Sequence, residues 1–109
     1  MATPLPTPTP VGAVRTWELT LDAELVPAVA AATPKQAEAV AGLLAQFPGV
    51  TAAAVRPHCQ GHFLLAIMSV EARDLGDAID RAEALLRSSA TAACLGPLIL
   101  VGARCSGRD

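Results

Sequence analysis

Tyrosine and asparagine are absent from this chain of 109 residues, and its aromatic side chains are limited to Trp17, Phe47 and Phe63. A core must therefore be filled by aliphatic residues; the hydrophobic fraction is 52%, and much of it is alanine. Small side chains bury little area each, and a small domain buries a modest share of its surface, so a further interface would add stability. Three cysteines, Cys59, Cys94 and Cys105, are odd in number, far apart and without a CxxC pair. That excludes a disulfide framework and predicts reduced thiols, with Cys94 packed in or near the core.

Other absences exclude whole function classes. No stretch approaches the ~18 uninterrupted apolar residues of a membrane span, and the first ten residues have neither a cationic nor a continuous apolar region of the kind a signal peptide needs. Net charge is −2, with both signs interspersed and no basic stripe to neutralise phosphates. The expectation is a cytoplasmic protein with neither nucleic acid nor membrane as partner. A Gly-rich phosphate loop and a Ser-centred nucleophile elbow are also missing, and no cofactor is expected.

What is present divides into a Pro-rich leader over residues 1–12, one domain over 13–105, and a flexible tail over 106–109. The leader alternates Thr or Leu with Pro from Thr3 to Pro10, which removes backbone donors and favours polyproline II. From Val14 the pattern has period two. Arg15, Trp17, Leu19 and Leu21 point one way, under helices; Thr16, Glu18 and Thr20 point the other. Residues 23–32 read as a long apolar connection, an added turn or a flap.

Thr33-Pro34-Lys35-Gln36 predicts a helix start with a capping box, followed by an apolar stripe at Ala37, Val40, Ala41 and Leu44. Phe47-Pro48-Gly49 ends it. Val50 to Arg56 reads as a second strand at a sheet edge, and His58-Cys59-Gln60-Gly61 as a tight reversal. His62 to Val70 is apolar on both sides and reads as a central strand. Asp74 caps a second helix whose expected buried stripe is Leu75, Ile79, Ala82, Leu86 and Ala93. Leu98 to Ala103 forms the last strand.

The two halves match in order and spacing, each an apolar strand ending in an acid and Ala before a capped helix. On that element order the chain resembles the ferredoxin-like α/β plait, an α+β βαββαβ sandwich. The resemblance implies a four-stranded antiparallel sheet with strands in the order four, one, three, two and two helices on one face. The RNA-recognition, metal-chaperone and acylphosphatase versions of the plait are disfavoured, because their signature residues are missing.

With both helices on one side, the apolar character of strands three and four predicts that the helix-free face is covered. A homodimer is the simplest cover. Strand three offers either His62, Leu64, Ala66, Met68 and Val70 or Phe63, Leu65, Ile67 and Ser69 to that face. The expected ligand or interface residues are Thr16, Glu18, Thr20, Leu64, Met68, Leu98 and Leu100.

His58, Cys59 and His62 form the one local cluster with metal-ligand chemistry, suited to Zn²⁺ or Cu. Two functions are consistent with this pattern. The first is a dimeric binding, assembly or regulatory module without catalytic activity, recognising a partner protein or small ligand. The alternative is a cofactor-free small enzyme similar to the dimeric plait monooxygenases or cyclases, with Trp17, Glu18, His58 or His62 converging on a pocket.

Overall fold

Alternation along the first strand decides which way every later element faces. In the computed structural model, which describes residues 14–26 and 31–108, Trp17, Leu19, Leu21, Ala23 and Leu25 are buried on one side of β1 (Arg15–Leu25). The residues between them lie on the other side. The chain continues through α1 (Pro34–Leu44), β2 (Val50–His58), β3 (Phe63–Ala72), α2 (Leu75–Ala92) and β4 (Leu98–Arg108). Residues 1–13, which hold the expected leader, and residues 27–30 of the expected flap lie outside the described residues.

One sheet contains all four strands in the order β2-β3-β1-β4, and every neighbouring pair is antiparallel. Counted from the β4 edge, the same order reads four, one, three, two. That order is the expected one; what needs correcting in the expected ferredoxin-like sandwich is its proportions and the face each strand presents. The presumed connection at Ala23 to Leu25 is strand, because the period-two pattern carries on and Leu25 is buried. Its end is held by Leu25 N–H donating to His62 O at 2.9 Å and Val26 N–H donating to Pro97 O at 2.9 Å. At the other end of the sheet, β4 runs past Ala103 to Arg108 and takes up most of the expected tail. Its pairing with β1 shifts register between Glu18 and Leu19 and between Asp22 and Ala23.

One hydrophobic cluster joins the buried side of the sheet to both helices. Leu19, Leu21, Leu64, Met68 and Val70 from the strands meet Val40, Leu44 and Leu86 from the helices. Each large side chain buried this way contributes about 1.5–3 kcal/mol. Ala37, Ala78, Ala82 and Ala90 line the helix sides of the contact. The stripe of α2 is thus Ala78, Ala82, Leu86, Ser89 and Ala90, and the expected positions Leu75, Ile79 and Ala93 are partly or well exposed. Trp17 is buried as expected, and its indole N–H donates to Ala72 O at 3.0 Å. That bond ties the start of β1 to the end of β3.

The helix ends follow local chemistry. Thr33 Oγ1 accepts from Gln36 N–H at 3.1 Å while Gln36 Oε1 accepts from Thr33 N–H at 3.0 Å, closing the capping box. Asp74 caps α2 by accepting from Asp77 N–H at 2.8 Å. Past its C-terminus Leu95 N–H reaches Ala90 O and Cys94 N–H reaches Thr91 O, with Cys94 at φ 63 in the left-handed position usually held by glycine. This is why Cys94 is exposed and does not pack in the core. Arg87 links α2 to β4, donating from Nη1 to Leu98 O at 2.6 Å and gripping Glu83 with Nε and Nη2.

Between β2 and β3 three successive residues, Cys59, Gln60 and Gly61, have positive φ. Gly61 is buried against the chain that leads into α1; its carbonyl accepts from Ala32 N–H at 2.8 Å, and a Cβ on it would stand 2.7 Å from Ala32 O. Gly61→Ala is therefore expected to destabilise the protein by about 2–4 kcal/mol. Cys94→Gly is expected to raise stability by about 1 kcal/mol, since glycine reaches that backbone conformation without strain. Urea unfolding midpoints of the two variants check both signs.

Candidate functional site

The side of the sheet away from the helices is the surface with the most unsatisfied character. Strand pairing places its residues in rows. His58, Phe63, Glu24 and Ile99 form one row, and Arg56, Leu65, Asp22 and Gly102 the next. Ala54, Ile67, Thr20 and Arg104 follow, then Ala52, Ser69 and Glu18. Read down the strands, β2 carries small and basic residues, β3 an apolar ridge, β1 acids and threonines, and β4 apolar residues with one arginine.

Six large hydrophobic residues are exposed among the described residues, and three of them, Ile67 (46%), Ile99 (50%) and Val101 (52%), belong to this face. Val101 is the extra residue where β4 bulges opposite Asp22. Phe63 and Leu65 extend the ridge on β3 and are half-buried, and Phe63 meets the His58 ring edge-on at 6.2 Å between centroids. Neither α1 nor α2 packs here, so among the described residues these side chains lean on their strand neighbours.

Asp22 is the unusual polar group of the face. Its Oδ1 is buried among its neighbours yet has no hydrogen-bond partner. A buried acceptor without a donor is uncommon in folded proteins and disfavours the state that leaves it so. The in-row cation, Arg56, stands two strands away across Leu65, a separation of ~10 Å. Glu18 is exposed, and its backbone carbonyl accepts from Ser106 Oγ at 3.3 Å.

Several expected site residues occupy other places. Thr16, Glu18 and Thr20 do lie on the helix-free face. Leu64, Met68 and Leu98 do not: they are core residues under the helices, exposed by 0%, 1% and 1%. Leu100 packs against the same core. The cause is parity, since Met68 pairs with Leu19, Leu64 and Leu100 with Ala23, and Leu98 with Leu25, all on the buried side of β1. Phe63, Leu65, Ile67, Ile99 and Val101 are the apolar residues of the face instead. The same parity, already readable in β1, is the signal that selects them once the strands are paired.

Neither the metal cluster nor the catalytic cluster assembles. Among the described residues no group of three His, Cys, Asp or Glu side chains gathers to hold a metal ion. In the turn, His58 is exposed and meets Phe63 edge-on, Cys59 is exposed at φ 49, and the Nδ1 of His62 is buried with no partner among the described residues. Trp17 lies on the buried face, and Glu18 pairs with Ser69 while His58 pairs with Phe63. Those two positions on β3 are six residues apart, ~20 Å along the strand.

Two open clefts of about 320 and 380 Å³ flank the start of α2. Both are lined by Arg73 and Arg81 together with the acids Glu71, Asp74 or Asp77. Arg81 already faces Asp77 at 3.6 Å, and the backbone N–H of Arg73 donates to Asp77 Oδ2 at 3.4 Å. No helix among the described residues is long and apolar enough to cross a membrane.

Parity makes a sharp contrast between neighbours on β3. Leu64→Ala is expected to cost about 2–5 kcal/mol of folding stability. Ile67→Thr, measured at high dilution, is expected to change it by no more than about 0.5–1 kcal/mol. Equal effects at the two positions would show that the faces are assigned the wrong way round. In comparisons with protein families, curated proteins and solved structures the chain matches none, so the ferredoxin-like resemblance gives it no family.

Proposed function

We propose that this chain is a binding and assembly module that works through its helix-free sheet face, pairing there as a homodimer. The observation that carries this reading is the exposure of Ile67, Ile99 and Val101 on one face that no described residue covers. An apolar patch of that kind on a sheet that no helix covers is the ordinary mark of a protein interface. Size supports it. Four strands of nine to eleven residues span ~20 by ~35 Å, a face whose relief approaches the ~800 Å² per partner of a standard interface.

The alternation of apolar and charged columns favours a protein surface over a small molecule, because a small ligand is normally held in a concave pocket. The enzymatic alternative receives no comparable support: Glu18 is exposed, Trp17 faces the core, and His58 is far along the sheet from Glu18. No cofactor or metal enters this reading. A reducing, cytoplasmic setting suits the exposed cysteines, of which Cys59 and Cys94 are free thiols on the surface.

Analytical ultracentrifugation tests the proposal. The unaltered protein is expected to sediment as a dimer at micromolar concentration, and the double variant Ile67→Lys with Val101→Lys as a folded monomer. A monomeric unaltered protein would overturn it.

A further inference from the structure

The apolar ridge of β3 runs down the middle of a charge pattern that is its own complement. Leu65 has Arg56 on one side and Asp22 on the other; Phe63 has His58 on one side and Glu24 on the other. Both cationic or ionisable bases are on β2 and both acids on β1. Ile67 sits between Ala54 and Thr20, and Ser69 between Ala52 and Glu18, so the ridge is flanked by small residues on β2 along its remaining length.

Two copies stacking these faces about a two-fold axis have two centred choices. An axis across the strands lays β1 on β1, which sets Glu18, Asp22 and Glu24 of one copy against the same acids of the other. Like charges so placed oppose association. An axis along β3 leaves every row at its own level and exchanges left for right. It sets Phe63, Leu65 and Ile67 against their own counterparts and lays β2 of each copy over β1 of the other. Arg56 of one copy then comes over Asp22 of the second, in the same row, and His58 over Glu24.

We infer that the homodimer forms about a two-fold axis along β3, with Arg56 of each copy donating to the carboxylate of Asp22 in the other. This rests on the dimeric reading above and names its geometry. Two observations meet in it: the register that swaps cation for acid, and an Asp22 carboxylate to whose Oδ1 no described residue donates. An arginine reaching across donates to the open oxygen of this carboxylate, Oδ2, since Oδ1 is closed off within the chain, and a carboxylate hydrogen-bonded to guanidinium is among the stronger polar contacts. Aligned packing of the two sheets, ~10 Å apart, leaves room for an arginine side chain to span the gap. Ile99 and Val101 then stand at the rim, beside the partner's β2 edge.

The test uses two charge reversals, Arg56→Asp and Asp22→Arg, in the full chain. Alone, each variant places two like-charged contacts in its homodimer and is expected to dimerise at least about tenfold more weakly than the unaltered protein. Mixed together, they form a heterodimer in which both contacts are opposite in charge, and affinity is expected to return to within about threefold of the original. That recovery also shows that both variants are folded. Homodimerisation of Arg56→Asp at unaltered strength, or no recovery on mixing, overturns the pairing while leaving a dimeric protein in place. An unaltered protein that stays monomeric at micromolar concentration overturns the pairing together with the dimeric reading.

Discussion

Everything in this molecule follows from the parity of β1. With Trp17, Leu19, Leu21, Ala23 and Leu25 turned toward the helices, hydrogen-bond register commits alternate residues of β3 and β4 to the same side. A slip of one residue would exchange the two faces and expose five buried side chains, so the register is strongly determined. The acids of β1 are thereby forced onto the opposite side. They stand between the apolar ridge of β3 and the bulged, partly apolar β4.

The core that this parity creates is tightly closed but modest in bulk. Alanines at 37, 78, 82 and 90 bring the helices close to the sheet, and leucines with Met68 are the largest fully buried side chains. Polar ties secure the joints: the Trp17 indole on Ala72 O, the capping box at Thr33, and Arg87 reaching from α2 to Leu98 O. A domain built mostly from small side chains gains little margin from its core, and an interface on the remaining face adds to it.

Much of the architecture was legible in the sequence because local signals and global fold agree. Thr33 to Gln36 announced a helix start, Asp74 a cap, and the two-sided apolar run of β3 a central strand, and each is where it was expected. The failures have physical causes. In a strand apolar on both sides, periodicity cannot say which side meets the helices, so it does not reveal that Leu64 and Met68 belong to the core. Along α2 the large Leu75 and Ile79 outweigh small Ala78 in the sequence pattern, whereas the helix meets the sheet over its alanines. Cys94 was expected inside, but its left-handed backbone at the helix end turns it out. His58, Cys59 and His62 are neighbours in sequence, yet the reversal between β2 and β3 does not bring three donors together.

What the face does depends on what meets it, and the column pattern offers an answer within the chain itself. The apolar ridge supplies burial, while the acids on one side and Arg56 with His58 on the other supply orientation, a division of labour common at protein interfaces. Isotope-filtered nuclear Overhauser spectroscopy on a mixed-label sample tests this most directly. The account predicts contacts between copies from the side chains of Phe63, Leu65 and Ile67 to the same residues of the partner. Intermolecular contacts arising from the outer surfaces of α1 and α2, or none at all at millimolar concentration, would contradict it.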